Sequence, residues 1–493
     1  MTVQKPRLRR FTAAMGAISL AAAGILATGS PAMAAVGPDQ PGAQESGTLT
    51  INKYSGAPVG EGQTPNSENL LNGVEFTVTQ VGTLNGEQCD PVDLTAAADW
   101  DGLAGLFNSA PASPADPYCL VPNSATTKPT VNGQTEFPLD VGIYFAQETD
   151  PGTNNIVSPV PDFYVSIPTS NGKNGDGWNY NVVADPKNQL MDAPSKTIEG
   201  DQTELVIGSD VTWNLSVPVP TLNNEEKFTE AVVTDVLDSR LEYVTDSTVA
   251  TVGGTTLTQG THYNVTGNAV WTFTTEGRAV LDANFGKDLL ITFDTTVKSV
   301  GDGVIPNDEY SSTFNDTTVP GEPTPHTYWG QLSILKTDDS SPALNLADAE
   351  FQVFNLVGDT CEATAPATGA IATGTSNDTG IVQWQNVAPA NVLGLWITNS
   401  DTPLSNPSKD YCVYETVTPA GHTATPIKNP VTITPGADNT KPLTVVNPKT
   451  EGPDLPLTGA QGTLVLTIGG LVIVALGTGL IVAVRRHQNK QDA

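Results

Sequence analysis

The sequence predicts an all-β chain of tandem sandwich domains, with a membrane-spanning helix at the C-terminus of the precursor. Three observations predict it. Apolar and polar residues alternate through the chain, with Thr and Val at many of the alternating positions, as in half-buried strands. The runs are broken by turn formers, with 46 Gly and 38 Pro among Asn and Asp, and amphipathic helical periodicity is scarce. Near the end, the twenty-two residues from Thr463 to Val484 carry no charge. That length can cross a bilayer as a helix, and Arg485-Arg486 behind it favours the cytoplasmic side.

At the other end, residues 1–34 have a basic start (Lys5, Arg7, Arg9, Arg10), an apolar middle and Ala32-Met33-Ala34 as a small-residue cleavage site. This is the pattern of a secretory signal peptide. The two ends hold seven of the 22 Lys and Arg but only one of the 53 Asp and Glu, so the span 35–458 has a balance of −37. Such a charge argues against nucleic acid and anionic membranes as partners. A span of this length exceeds what one hydrophobic core usually holds. The expected division is 35–190, 191–327 and 328–450, followed by 451–493 with the span and basic tail.

The first domain opens on Leu49-Thr50-Ile51-Asn52-Lys53, with Leu49, Ile51 and Lys53 on one strand face. Residues 84–134 read as a long insertion with a short helix near Leu94–Phe107. The domain closes on Trp178 to Asn188. The middle domain starts at Lys196 and carries strands at Val211–Val219 and Val232–Asp238. Val319 to Pro325 is a Pro-rich link. The last domain repeats the first: Leu332-Ser-Ile-Leu-Lys336 matches Leu49 to Lys53, and Tyr411 to Gly421 matches the stretch around Glu148. Val445-Val-Asn447-Pro-Lys449 matches Val183-Ala-Asp185-Pro-Lys187, so one module is used twice. Four cysteines in an exported chain suggest disulfides, and sequence proximity pairs Cys89 with Cys119 and Cys361 with Cys412. With no CxxC and four scattered His, no metal site and no cofactor is expected.

Leu455-Pro456-Leu457-Thr458-Gly459, just ahead of the span, resembles the LPxTG sorting signal of Gram-positive surface proteins. The resemblance implies that a sortase cleaves between Thr458 and Gly459 and passes the Thr acyl group to an amine. Trp178, Tyr180, Val182, Pro186, Lys187 and Asn188 are similar to the pilin motif of sortase-assembled major pilins, with Asp185 where a Tyr is usual. There the motif lysine receives the acyl group of the next subunit, which gives Lys187 that role. Over the whole mature span the chain resembles SpaA-type shaft pilins, especially the three-domain fimbrial proteins of actinobacteria, and its last domain resembles a CnaB-type immunoglobulin-like module. The implied partners are identical subunits in a head-to-tail polymer, a pilus sortase, a housekeeping sortase, peptidoglycan, a tip adhesin, and host or bacterial surface ligands.

Alternation places Leu332, Ile334 and Lys336 on one inward face, Leu443, Val445 and Asn447 on another, and Val413 before Glu415 on a third. An amine, a carboxamide and a carboxylate in one apolar core are costly as separate charges. The resemblance implies that Lys336 and Asn447 join in an isopeptide bond with Glu415 as the acid. In the middle domain it implies Lys196 as amine and Asp235 as acid, with Asn307 the chosen partner and Asn315 the alternative. In the first domain the repeat puts Lys53, Glu148 and Asp185 at the matching positions. Asp185 shares a face with Asn179 and Asn181, so an outward carboxylate, an accessible Lys187 and no Lys53–Asp185 cross-link are expected. No Ser/His/Asp or Cys/His set can be assembled, which disfavours an enzyme. The expected function is the shaft subunit of a covalent pilus that supports adhesion; the alternative is a monomeric wall-anchored adhesin.

Overall fold

The computed structural model describes residues 36–450 except 57–65, 101, 110–111, 171–176, 201, 203–204, 224–225 and 323. The expected signal peptide, sorting signal, membrane span and basic tail lie outside the described residues. Among the described residues, no helix is long and apolar enough to cross a membrane. They pack as two compact units. One holds the described residues up to Leu332 with Leu393–Asp410 and Thr432–Lys441; the other holds Ser333–Val392, Tyr411–Val431 and the described residues from Pro442.

In the first unit, Ser46–Asn52 lies between Asn181–Ala184, parallel to it, and Gln134–Asp140, antiparallel. Gly47 permits this close approach, because a Cβ there would meet the Tyr180 carbonyl oxygen at 2.0 Å. A second sheet orders Phe163–Ile167, Gly142–Asp150 and Glu75–Asn85. Leu49, Ile51, Phe76, Val78, Phe137 and Val182 fill the space as one core. The strand Lys187–Leu190 continues beyond Ala184, pairing in parallel with Tyr54–Ser55 and antiparallel with Ile156–Ser158. The insertion folds as short strands, a 3-10 turn at Ala97–Trp100 and the helix Leu103–Ser109 over a satellite core.

Further along the same unit, one sheet runs Ser195–Ile198, Asp210–Pro218, Asp288–Val297, Val249–Val252 and Thr255–Leu257. The other runs Tyr263–Thr266, Val270–Phe273, Ala231–Val236, Glu309–Phe314 and Thr317–Pro320. Asp210–Pro218 buries every second residue, and Val211, Trp213, Leu215 and Val217 join Trp271, Phe293 and Trp329 in the largest core. Part of the Pro-rich link is thus strand. The expected boundary after residue 327 falls inside the strand His326–Asp338.

The second unit is built on Glu350–Asn355, which pairs with Ala372–Ser376 and with Lys409–Val417. Residues from Ser333 of His326–Asp338 and from Pro442 of Gly436–Asn447 contribute the paired first and last strands.

Candidate functional site

Among the described residues, three buried lysines meet carboxyl groups. In the second unit, Ile334 and Lys336 alternate inward with Leu335 exposed between them, as do Val445 and Asn447 with exposed Val446. Lys336 and Asn447 are fully buried. Glu415, opposite Phe351 on the facing sheet, completes the cluster: Asn447 Nδ2 donates to Glu415 Oε1 at 2.7 Å, and Lys336 Nζ lies 3.8 Å from the same oxygen. Lys336 Nζ also donates to the Val445 carbonyl at 3.1 Å. Burial lowers the Lys336 amine from its usual value and raises the Glu415 carboxyl. Burial thus shifts both groups beside the carboxamide toward their uncharged forms.

In the first unit, Lys196 and Asp235 form an ion-pair contact with both side chains fully buried. The Lys196 ammonium lies 5.1–5.8 Å from the ring centres of Trp213, Phe293 and Tyr310. Burial pushes Lys196 down to about 8 and Asp235 up to about 6, against their mutual attraction. Asn307 is completely buried beside this pair, where its carboxamide helps hold the Asp235 carboxyl down, but neither of its side-chain polar atoms has a hydrogen-bond partner of good geometry. Asn315 is elsewhere, in the turn after Glu309–Phe314 at φ 51°, where its Oδ1 accepts from Thr229 N and Oγ1. Of the two asparagines left open by the sequence, the geometry therefore favours Asn307.

The first module departs from the repeat alignment. Lys53 Nζ lies 2.8 Å from Glu148 Oε2, as the repeat expects. Its third member is Asn188 rather than Asp185: Lys53 Nζ donates to Asn188 Oδ1 at 2.5 Å, and Asn188 Nδ2 donates to Glu148 Oε1 at 2.7 Å. Asp185 does not point outward. It is buried, and its Oδ1 accepts from Asn52 Nδ2 at 2.9 Å. The strand Asn181–Ala184 ends ahead of Pro186, and the chain is buried on every residue from Ala184 to Gln189, so alternation fails across the break. A signal was present in the sequence: counting by two from Tyr180 through Val182, Ala184 and Pro186 reaches Asn188.

Lys187 is likewise not freely accessible. It is 7% exposed, its Nζ donates to the Asp185 carbonyl at 2.9 Å, and it lies 5.7 Å from the centre of the Tyr54 ring. Burial lowers its pKa. Backbone pairing with Tyr54 covers it, a contact between residues far apart in sequence that local pattern cannot reveal.

Cys89 bonds Cys119 and Cys361 bonds Cys412, the pairs that proximity selects. Both strands that carry the first pair lie on Glu75–Asn85. Among the described residues no group of His, Cys, Asp and Glu could hold a metal ion.

Comparison with known proteins joins these features. Residues 39–189 match the model of the Gram-positive pilin subunit D1, N-terminal domain, and residues 447–490 that of the LPXTG cell wall anchor motif. The chain is 30% identical over 540 residues to fimbrial subunit type 2 of Actinomyces naeslundii, covering 98% of this chain and 97% of that one. It is 28% identical over 536 residues to fimbrial subunit type 1 of Actinomyces viscosus, covering 97% of each. Its fold is similar to that of the full-length major pilin SpaD from Corynebacterium diphtheriae, with a TM-score of 0.57, 26% identity, and coverage of 83% of this chain and 98% of that one. The chain belongs to the Gram-positive fimbrial subunits, the sortase-assembled shaft pilins anchored in the cell wall.

Proposed function

We propose that this shaft subunit polymerises through an amide between Thr458 of one subunit and Lys187 of the next. A pilus sortase makes that bond and a housekeeping sortase transfers the finished polymer to peptidoglycan. The observation that carries the reading is the presence, in one chain, of a pilin D1 match ending at the Lys187 strand and an LPXTG anchor match. The buried setting of Lys187 suits a nucleophile, since burial favours the uncharged amine. Its hydrogen bond to a backbone carbonyl can be broken for about 1 kcal/mol, so a sortase can draw it out. The division into modules 35–190, 191–327 and 328–450 belongs to this reading. So do isopeptide bonds Lys196–Asn307, with Asp235 as acid, and Lys336–Asn447, with Glu415 as acid. A tip adhesin and surface ligands complete the proposed partners.

The deciding experiment is Lys187→Ala in the native host. The ladder of multimers that resist boiling in detergent should vanish while wall-anchored monomer remains. A ladder unchanged in that variant would remove Lys187 from the role and favour another acceptor lysine.

A further inference from the structure

His422, in the second unit, is brought by the fold to the edge of the Lys336 cluster. It follows Glu415 on the same chain segment, and its backbone bridges to Lys449, just beyond Asn447. Two more backbone bonds fasten this loop in place. The Thr423 N–H donates to the Pro448 carbonyl at 2.9 Å, and the Thr450 N–H donates to the Gly421 carbonyl at 2.9 Å. The loop is thus clamped onto the end of the strand that carries Asn447, with His422 half-buried there.

Glu415 Oε2 and His422 Nε2 are both buried without hydrogen-bond partners. Orphaned polar atoms are costly, and these two are complementary. Glu415 Oε1 accepts from Asn447 Nδ2 at 2.7 Å and faces Lys336 Nζ at 3.8 Å, which leaves Oε2 to carry the proton of the protonated carboxyl. His422 Nδ1 lies 3.1 Å from the Ala420 carbonyl, and a bond there makes Nδ1 the donor. The neutral ring then presents a lone pair at Nε2.

We propose that His422 is a positioning residue for the Lys336–Asn447 condensation: through one water, its Nε2 holds the Glu415 proton on Oε2 and takes it up transiently. This role presupposes the Lys336–Asn447 amide proposed above. Because Nζ and Nδ2 both face Oε1, Glu415 cannot take a proton with one oxygen while giving one to Nδ2 from the other. A histidine behind Oε2 removes that obstacle. Lys336 Nζ, as the neutral amine, attacks Cγ of Asn447, forming the N–C bond and placing negative charge on Oδ1. Oε1 takes a proton from the attacking nitrogen while Oε2 releases its own, through the water, to Nε2. Oε1 then gives its proton to Nδ2, the carbonyl re-forms, the Cγ–Nδ2 bond breaks and ammonia leaves. The imidazolium returns its proton to Oε2. Amine and carboxamide have become amide and ammonia, with the glutamic acid and the neutral histidine regenerated.

Acid should slow the step by charging His422 and removing its lone pair. Burial raises the Glu415 carboxyl, and a charged His422 would draw it back toward the carboxylate. Lys336 and Glu415 pass one proton between themselves and keep their joint charge. The other charged groups at the clamp are Lys449, Asp338 and Asp339: Lys449 Nζ lies 3.4 Å from Asp338 Oδ2, and the Lys449 N–H donates to Asp339 Oδ1 at 3.2 Å. Lysine and aspartate ordinarily titrate well outside the histidine range.

The test follows bond formation in the full mature chain, made by cell-free translation, shifted to buffers between about pH 5 and 8, quenched in denaturant at intervals and digested with trypsin. A lysine acylated at Nζ is not cut, so lost cleavage after Lys336 counts the bonds formed. The branched peptide joining Lys336 to Asn447 is lighter than its two parts by one ammonia. The wild-type rate should fall as pH drops through the histidine range. His422→Gln can keep a hydrogen bond but takes up no proton. It should form the bond about tenfold more slowly or worse, without that acid limb. Cleavage after Lys196 in the same digests is the control for folding, since Asp235 is untouched by the change. Should Gln disturb the loop, His422→Ala replaces it, and added imidazole should restore its rate. A wild-type rate and profile in His422→Gln would overturn the proposal. So would a slower rate with the acid limb intact, or a His422→Ala protein that imidazole leaves slow, since each reduces His422 to a structural part of the loop. Complete cleavage after Lys336 in the wild type would overturn the amide itself, and this role with it.

Discussion

A lysine and a carboxyl buried together cost folding energy unless something removes their charge, and the described residues bury such a pair three times. The pair at Lys196 makes that cost measurable. Asn307→Ala keeps both ionisable groups but removes the acyl donor proposed for them. With the folded carboxyl near 6 instead of its usual lower value, the unfolded chain loses this proton first, and stability falls as pH rises toward 6. With the folded amine near 8, the folded chain loses its proton first, and stability rises again above 8. The variant should therefore be least stable between about pH 6 and 8, the reverse of a surface ion pair. The check is the thermal midpoint against pH, relative to a Lys196→Met/Asp235→Asn protein carrying the same Asn307→Ala change. A flat difference profile would defeat the account. For the other cross-link, Asn447→Ala should cost about 4–5 kcal/mol if the entropy of closing a loop of roughly 110 residues is what the bond contributes. Denaturant midpoints would read it.

At the scale of the strand, legibility in the sequence followed the period of two. Lys336, Asn447 and Asp235 could be placed because each continues an alternation of apolar residues into the core, whereas Glu415 follows a run buried from Tyr411 to Tyr414 and Lys196, the first buried residue of its strand, came from the family resemblance. The strand Lys187–Leu190 was not placed, since the count of two that runs from Tyr180 to Asn188 is obscured where Asp185 to Gln189 are all buried. Its surroundings come from distant segments: Tyr54 on one side, Ser158 on the other, and Asn223 and Thr221 against Gln189. Matching one Pro-Lys pair to the other made Asp185 the counterpart of Asn447, whereas side-chain direction makes it Asn188. Asn223 is the hub of the polar contacts that hold this strand. Its amide donates to the Ser158 carbonyl, its Oδ1 accepts from Gln189, and its backbone N–H donates to Ser158 Oγ. Asn223→Ala should leave the buried Gln189 amide and Ser158 carbonyl short of partners, at about 1–3 kcal/mol. Calorimetry of Asn223→Ala beside the wild type tests it, and a loss below a few tenths of a kcal/mol would show that water replaces those bonds.

Across the whole molecule, the proposed linkages define which residues carry tension. A pull enters at Lys187, where the neighbouring subunit is attached, and leaves at Thr458. Residues before Lys187 are off that path, so the first module bears none of the load. The Lys196–Asn307 and Lys336–Asn447 bonds lie on the path and short-circuit the segments between their ends. Stretching wild-type polymers should therefore release no more than the residues between Asn307 and Lys336, a step of at most roughly 95 Å at ~3.4 Å per residue. Asn307→Ala should release a loop of about 110 residues, lengthening each subunit by up to roughly 370 Å at ~3.4 Å per residue. Asn447→Ala opens a loop of similar length, but the Cys361–Cys412 disulfide, with its separation of 51 residues, stays closed inside it. About 60 residues then extend, giving a step of roughly 200 Å that grows toward the Asn307→Ala value once the disulfide is reduced. Asn188→Ala should give no step. A step in that variant would place the first module on the load path and require an attachment point other than Lys187.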